Sequence, residues 1–173
     1  MLEIAKTGGN MDPVLTNAMA SRELGPDGGS VSVLLPDGTQ ASCSPIKGNG
    51  LTGPWAAAID GDDNVWISNF TDSRAGIVEL CGARQETWPA GKKMGDPLSP
   101  PGGYVGGGLQ MQVDIGIDPA GNVWVSNNWQ DIKSVLDQVA EPLSTLGAGQ
   151  GVVVFYGLAK PVKTPLIGPV KIN

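Results

Sequence analysis

Residues 58–69 read AIDGDDNVWISN, and residues 116–127 read GIDPAGNVWVSN. The second stretch repeats the first at an offset of 58 residues with no gap. Each copy begins with a short apolar segment, Trp55 to Asp60 or Val113 to Asp118, which runs into a turn, DGDDN or DPAGN. In the second turn Asp-Pro opens the reversal and Gly121 is free to take positive φ, as a tight hairpin requires. NVWISN and NVWVSN then alternate, with Val and Ile on one side and Trp and Ser on the other. A period of two marks a strand.

The likeness extends in both directions. SPIKGNGL (44–51) precedes the first copy and SPPGGYVGGGL (99–109) the second. AGIVEL (75–80) follows the first and GVVVFYG (151–157) the second, which supplies a third strand. QETW (85–88) and TPLIG (164–168) are the candidates for a fourth. GSVSVLLPDGT (29–39) is an earlier half-copy. Strands are therefore expected near 31–35, 55–60, 64–69, 76–80, 113–118, 122–127 and 152–156.

Four antiparallel strands per repeat with Gly-rich links is the pattern of a β-propeller blade. The offset exceeds the roughly 40–50 residues of common blades. The excess lies in 90–108, rich in Gly and Pro, and in 131–149. In the latter, Ile132, Val135, Leu136 and Val139 fall at helical spacing, so a short helix is expected over 131–141; any other helix should fall within 12–24. The expected organisation is an N-terminal extension (1–28) and an all-β, partial-propeller domain (29–173). That domain comprises a half blade at 29–47 and blades at 48–98 and 99–170.

Composition agrees and narrows the function. The 173 residues suit one domain. With 26 Gly, 14 Pro and 16% charged residues the chain cannot be a coiled coil. A net charge of −6 disfavours nucleic acid as a partner. No apolar run approaches the roughly 18 residues of a membrane span, so no membrane partner is expected. The first residues lack a basic region followed by an apolar one, so no signal peptide is visible; localisation stays open. There is no histidine. That removes Ser-His-Asp and Cys-His nucleophiles and the HExxH zinc site. Cys43 and Cys81 are too few for a disulfide scaffold. One bridge and two buried thiols are both compatible with the sequence, the thiols being favoured.

The stretches GPWAAAIDGDDNVWISN (53–69) and DIGIDPAGNVWVSN (114–127) resemble NHL-type propeller repeats. They are most similar to the group that contains streptogramin lyases and, more distantly, gluconolactonase and paraoxonase lactonases. The resemblance covers about residues 29–170. It implies a calcium ion at one end of a central channel and lactone hydrolysis. The lyase activity needs a histidine base, which this chain lacks.

In a blade, residues just before the first strand and just after the second line the ligand end. Asn69 and Asp72 in the first copy, and Asn127 and Asp131 in the second, place hard oxygen donors there, of the kind calcium prefers. Strand-end capping is the alternative role for such residues. Asp114 enters an otherwise apolar first strand where the first copy has Ala56, and is the candidate catalytic base. DGDDN is oxygen-rich too, but lacks calcium-loop spacing and reads as a solvated turn. The expected function is calcium-dependent hydrolysis of an acyl-homoserine or sugar lactone, with Asp114 activating water. A non-catalytic binding or interaction module is the alternative. Two and a half blades leave two uncovered blade faces, so a homo-oligomer, a dimer first, is expected to close the ring. A chain cut from a longer one, or a compact β sandwich, would also resolve them.

Overall fold

A computed structural model describes residues 2–5, 14–18, 29–35, 37–70, 76–127 and 151–162. The expected helix at 131–141 and the TPLIG strand lie outside the described residues.

The described structure is all-β, with three antiparallel sheets. Sheet I has the order β1 (Leu2–Ala5), β2 (Val14–Ala18), β3 (Gly29–Val33), β4 (Ile46–Lys47). Sheet II comprises β5 (Pro54–Ile59), β6 (Val65–Asn69) and β7 (Val78–Leu80). Sheet III comprises β8 (Gln112–Ile117), β9 (Val123–Asn127) and β10 (Gly151–Phe155). In every sheet each strand pairs with its neighbour in sequence. The three sheets do not close into a ring among the described residues.

Two expectations are corrected. The first sheet has four strands and starts at Leu2, so part of segment 1–28 belongs to a sheet rather than to an extension. Residues 85–87 of QETW form a 3₁₀ turn. The Thr87 hydroxyl donates to Arg84 O at 2.7 Å and lies 3.1 Å from Asp62 O, which suits a tight turn rather than an extended strand. Beyond β7, the sheet edge is met instead by two isolated bridges, Ile77 to Tyr104 and Leu80 to Pro97.

Alternation in the strands builds the core. Val65 and Ile67 of β6, with Val78 and Leu80 of β7, pack against Val31, Val33 and Ile46 of sheet I. The opposite side of sheet II presents Ala56, Trp66 and Ile77 to Ile115, Val123, Val125 and Val153 of sheet III. Every residue of β6 is therefore buried. In β9 the same motif meets a different environment: Val123 and Val125 are buried, whereas Trp124 is 46% exposed. β5 runs beside both β2 and β8, which stacks the sheets in chain order.

The two hairpins share one hydrogen-bond plan. Asp60 N–H donates to Asn64 O and Asp63 N–H to Asp60 O. Asp118 N–H donates to Asn122 O and Gly121 N–H to Asp118 O. The residue before Asn is left-handed in each, Asp63 at φ 63° and Gly121 at φ 82°. This is a type I turn closed by a bulge, a common three-residue hairpin loop. The Asp carboxylate then ties the loop to the next strand. Asp60 accepts from Asn64 N–H at 2.9 Å and from the Trp66 indole at 3.1 Å. Asp118 accepts from Asn122 N–H at 3.0 Å and from the Trp124 indole at 2.9 Å.

Candidate functional site

The strand ends opposite these hairpins carry the sequence-expected site. Asn69 closes β6 and is fully buried. Its Oδ1 accepts from Thr52 N–H at 3.1 Å, and its Nδ2 donates to Gly50 O at 3.0 Å and to Gly76 O at 2.8 Å. Asn127 closes β9 in the same way. Its Oδ1 accepts from Gln110 N–H at 3.1 Å and its Nδ2 donates to Gly108 O at 3.0 Å. Gly50 and Thr52 stand 58 residues before Gly108 and Gln110, so each amide braces the loop that leads into its own first strand. Both carboxamides thus satisfy buried backbone groups, the capping role open to Asn at a strand end. Asp72 and Asp131 lie outside the described residues.

Gln112 links the two repeats. Its side chain is fully buried, and its Oε1 accepts the Asn69 N–H at 3.1 Å. Sheet III thereby holds the end of β6 in place.

Asp114 is exposed on β8, opposite Ser126, and its Oδ1 accepts from Ile115 N–H at 2.8 Å. Hydration resolves the problem of an acid on an apolar strand, because Asp114 looks away from the packed side of sheet III. Its counterpart Ala56 is fully buried under that sheet. Both first strands slip register at this level, between Pro54 and Ala57 in β5 and between Gln112 and Asp114 in β8. Such bulges re-aim side chains. Next to the first of them Trp55 meets Phe70, ring centroids 4.6 Å apart. Among the described residues, the chemistry at this end is therefore an exposed carboxylate, a half-buried aromatic pair and the amides of Asn69, Gln112 and Asn127, committed to backbone.

A second polar cluster, not anticipated from sequence, lies between sheets II and III. Glu79 of β7 accepts from Tyr104 Oη at 3.0 Å and from Asn64 Nδ2 at 3.3 Å. Asn64 Nδ2 also reaches Asp60 Oδ2, at 3.5 Å. Burial, together with the nearby Asp60 charge, pushes Glu79 up to about 7 against the Tyr104 and Asn64 hydrogen bonds. Tyr104 is pushed up to about 12 by burial and by Glu79, and its ring stacks on Trp66 at 5.6 Å. The sequence signal was slight: a single acid within the apolar run Ile77–Leu80.

The DGDDN turn is partly neutralised. Arg84 Nη2 pairs with Asp63 at 2.8 Å, and Arg84 Nη1 donates to Gly61 O at 3.1 Å. Cys81 is a buried thiol whose pKa is raised by burial, and Cys43 is half-buried against the sheet I–II core. An open groove of about 440 Å³ lies between β4 and residues 93–96; Cys43, Lys47, Lys93 and Asp96 are among its walls, and Asn69, Asp114 and Asn127 are not. No protein-family model matches the chain, and no curated protein is significantly similar to it.

Proposed function

We propose that the chain is a propeller-type, non-catalytic interaction module, built of blade-like sheets whose outer faces are its working surface. The observation that supports this reading is the fate of the repeated asparagines. Asn69 and Asn127 stand where a metal-binding propeller would offer oxygen, and both amides are used to brace the loops before β5 and β8. A calcium ion needs six to eight oxygens, so drawing these two from the backbone would cost the buried groups they satisfy. The test is a set of chromogenic lactones and esters, assayed in calcium and in EDTA, with a calorimetric calcium titration. No turnover above buffer and no binding heat are expected. Hydrolysis that EDTA abolishes would overturn the module.

One observation favours a second reading, calcium-dependent lactone hydrolysis: Asp114 is an exposed acid at a strand bulge where the sister repeat has a buried alanine. In that scheme Asp72 and Asp131, with Asn69 and Asn127, would hold the ion, the ion would polarise the lactone carbonyl, and Asp114 would activate water. Asp114→Asn keeps the shape and loses the charge. It should then remove most hydrolysis and leave the circular dichroism spectrum unchanged.

A further inference from the structure

The internal repeat permits a direct comparison of two sheet faces. Sheet II and sheet III are built on the same motif, and the side of sheet II that carries Ala56, Trp66 and Ile77 is covered by sheet III, each of the three fully buried. The equivalent positions of sheet III are Asp114, Trp124 and Val152. Ala56 precedes Asp114 by 58 residues, as Trp66 precedes Trp124. Val152 sits opposite Ser126 as Ile77 follows the ladder opposite Ser68. On sheet III this face is open: Trp124 is 46% and Val152 61% exposed, and a Cβ at Gly116 would meet nothing within 4 Å. The Trp124 indole is nevertheless held by Asp118 in the geometry that its buried counterpart has with Asp60. The face is thus already ordered in the form that receives a sheet.

The stack also has a direction. Sheet I covers one side of sheet II, and sheet III covers the other. What continues the series beyond sheet III is another sheet in the place that sheet III holds on sheet II. At the far end of the stack, sheet I has a second row in register: Leu2 opposite Asn17, Ile4 opposite Leu15, and Leu15 and Asn17 opposite Ser32 and Ser30. That row is one residue out of phase with Val31 and Val33, which are buried against sheet II.

We propose that the open face of sheet III receives sheet I of a second copy of this chain, so that two copies close a ring of six sheets. The occupant follows from continuity with the sheet II–III interface and from the count. The three sheets among the described residues of each copy make six in two copies, within the four to eight or so blades at which sheets close radially. A head-to-tail contact that closes after two copies covers the open face of sheet III in each copy and yields a discrete dimer rather than a filament. The inference rests on the reading of the chain as an interaction module and names its partner.

The test is the mass in solution, by light scattering and sedimentation at micromolar concentration, for the full chain and for variants at Val152, which is exposed, and at Ser30, which is partly buried. The parent should weigh twice the 17.8 kDa of one chain. Val152→Asp should weigh one chain, with unchanged circular dichroism, because it adds a second acid to the face that already carries Asp114, at the position where sheet II buries Ile77 completely. Ser30→Arg, on the second row of sheet I, should also weigh one chain. A parent at the mass of one chain overturns the proposal. A Ser30→Arg protein that remains a dimer while Val152→Asp does not would overturn the head-to-tail arrangement in favour of sheet III on sheet III. The lactone assay on the same samples separates the two readings. EDTA-sensitive hydrolysis by an intact dimer removes the module and keeps the dimer; an inert monomer does the reverse.

Discussion

Two acids illustrate how neighbours, rather than residue type, set behaviour. Asp118 is held down at about 2 by the Trp124 indole and by Asn122. Glu79 is pushed up to about 7, chiefly by burial between sheets II and III. A folded value above the ordinary one means that the folded state holds the proton more tightly than the unfolded chain does. Stability is therefore greatest with Glu79 protonated, falls as pH rises from about 4.5 to about 7, and stays lowered above that. Glu79→Gln removes the charge and keeps an oxygen for Tyr104. It should stabilise the protein by about 1–2 kcal/mol at pH 8, after allowance for partial solvent screening, and by nearly nothing at pH 4.5. Urea titrations at the two values check this; an equal effect at both would mean that the charge is not what matters. At this scale the sequence was informative where partners are local. The Asp-to-Asn-to-Trp ties run over six residues and repeat, so their equivalence could be read directly. Glu79 draws its partners from Asn64 and Tyr104, 15 and 25 residues away, and no local pattern encodes that. The same holds for Asn69 and Asn127: their matching positions were legible, but the loop carbonyls they bind belong to segments some 19 residues earlier.

Among the elements, the hairpins were the most legible because turn chemistry and period-two alternation point the same way. Strands β5, β6, β8, β9 and β10 fall within a residue of the ranges read from sequence. QETW was misread because a short segment with one aromatic and one β-branched residue carries little periodicity, and hydrogen bonds of Thr87 decide it. The loop glycine of the second hairpin has a sharper consequence. Gly121 sits at φ 82°, and a Cβ there would run into the carbonyl oxygen of Ala159. Gly121→Ala should cost more than ~1 kcal/mol, from left-handed strain plus the displaced 157–161 segment. Thermal unfolding should show it as a lower midpoint, and an unchanged midpoint would mean that the loop is not held as described. Trp66→Ala removes the largest side chain between sheets II and III and should cost ~3–5 kcal/mol.

For the whole molecule, the repeat disclosed the stack of sheets but not its beginning. The strands Leu2–Ala5 and Val14–Ala18 have no counterpart in the repeat, and their pairing with β3 is a long-range fact. Nor could the sequence say which of two equal tryptophans is covered, because Trp66 and Trp124 differ only in what lies beyond their sheet. That difference predicts a gradient of local stability. Sheet II is packed on both faces, so opening it must break two interfaces; among the described residues sheet III is packed on one. Regions with fewer buried apolar contacts open at lower free energy, and their amides exchange faster. In the Val152→Asp protein, with the outer face of sheet III uncovered, the β6 amides should exchange slowest. Those of β10, where Gly151 and Val152 are exposed, should exchange fastest. If the parent is the proposed dimer, the second copy covers that face, and β9 and β10 should slow toward β6. Hydrogen exchange read by mass spectrometry on both proteins measures the change. If β9 and β10 exchange alike in the two proteins, the face is not buried by association, and the dimer and the stacking argument fall together.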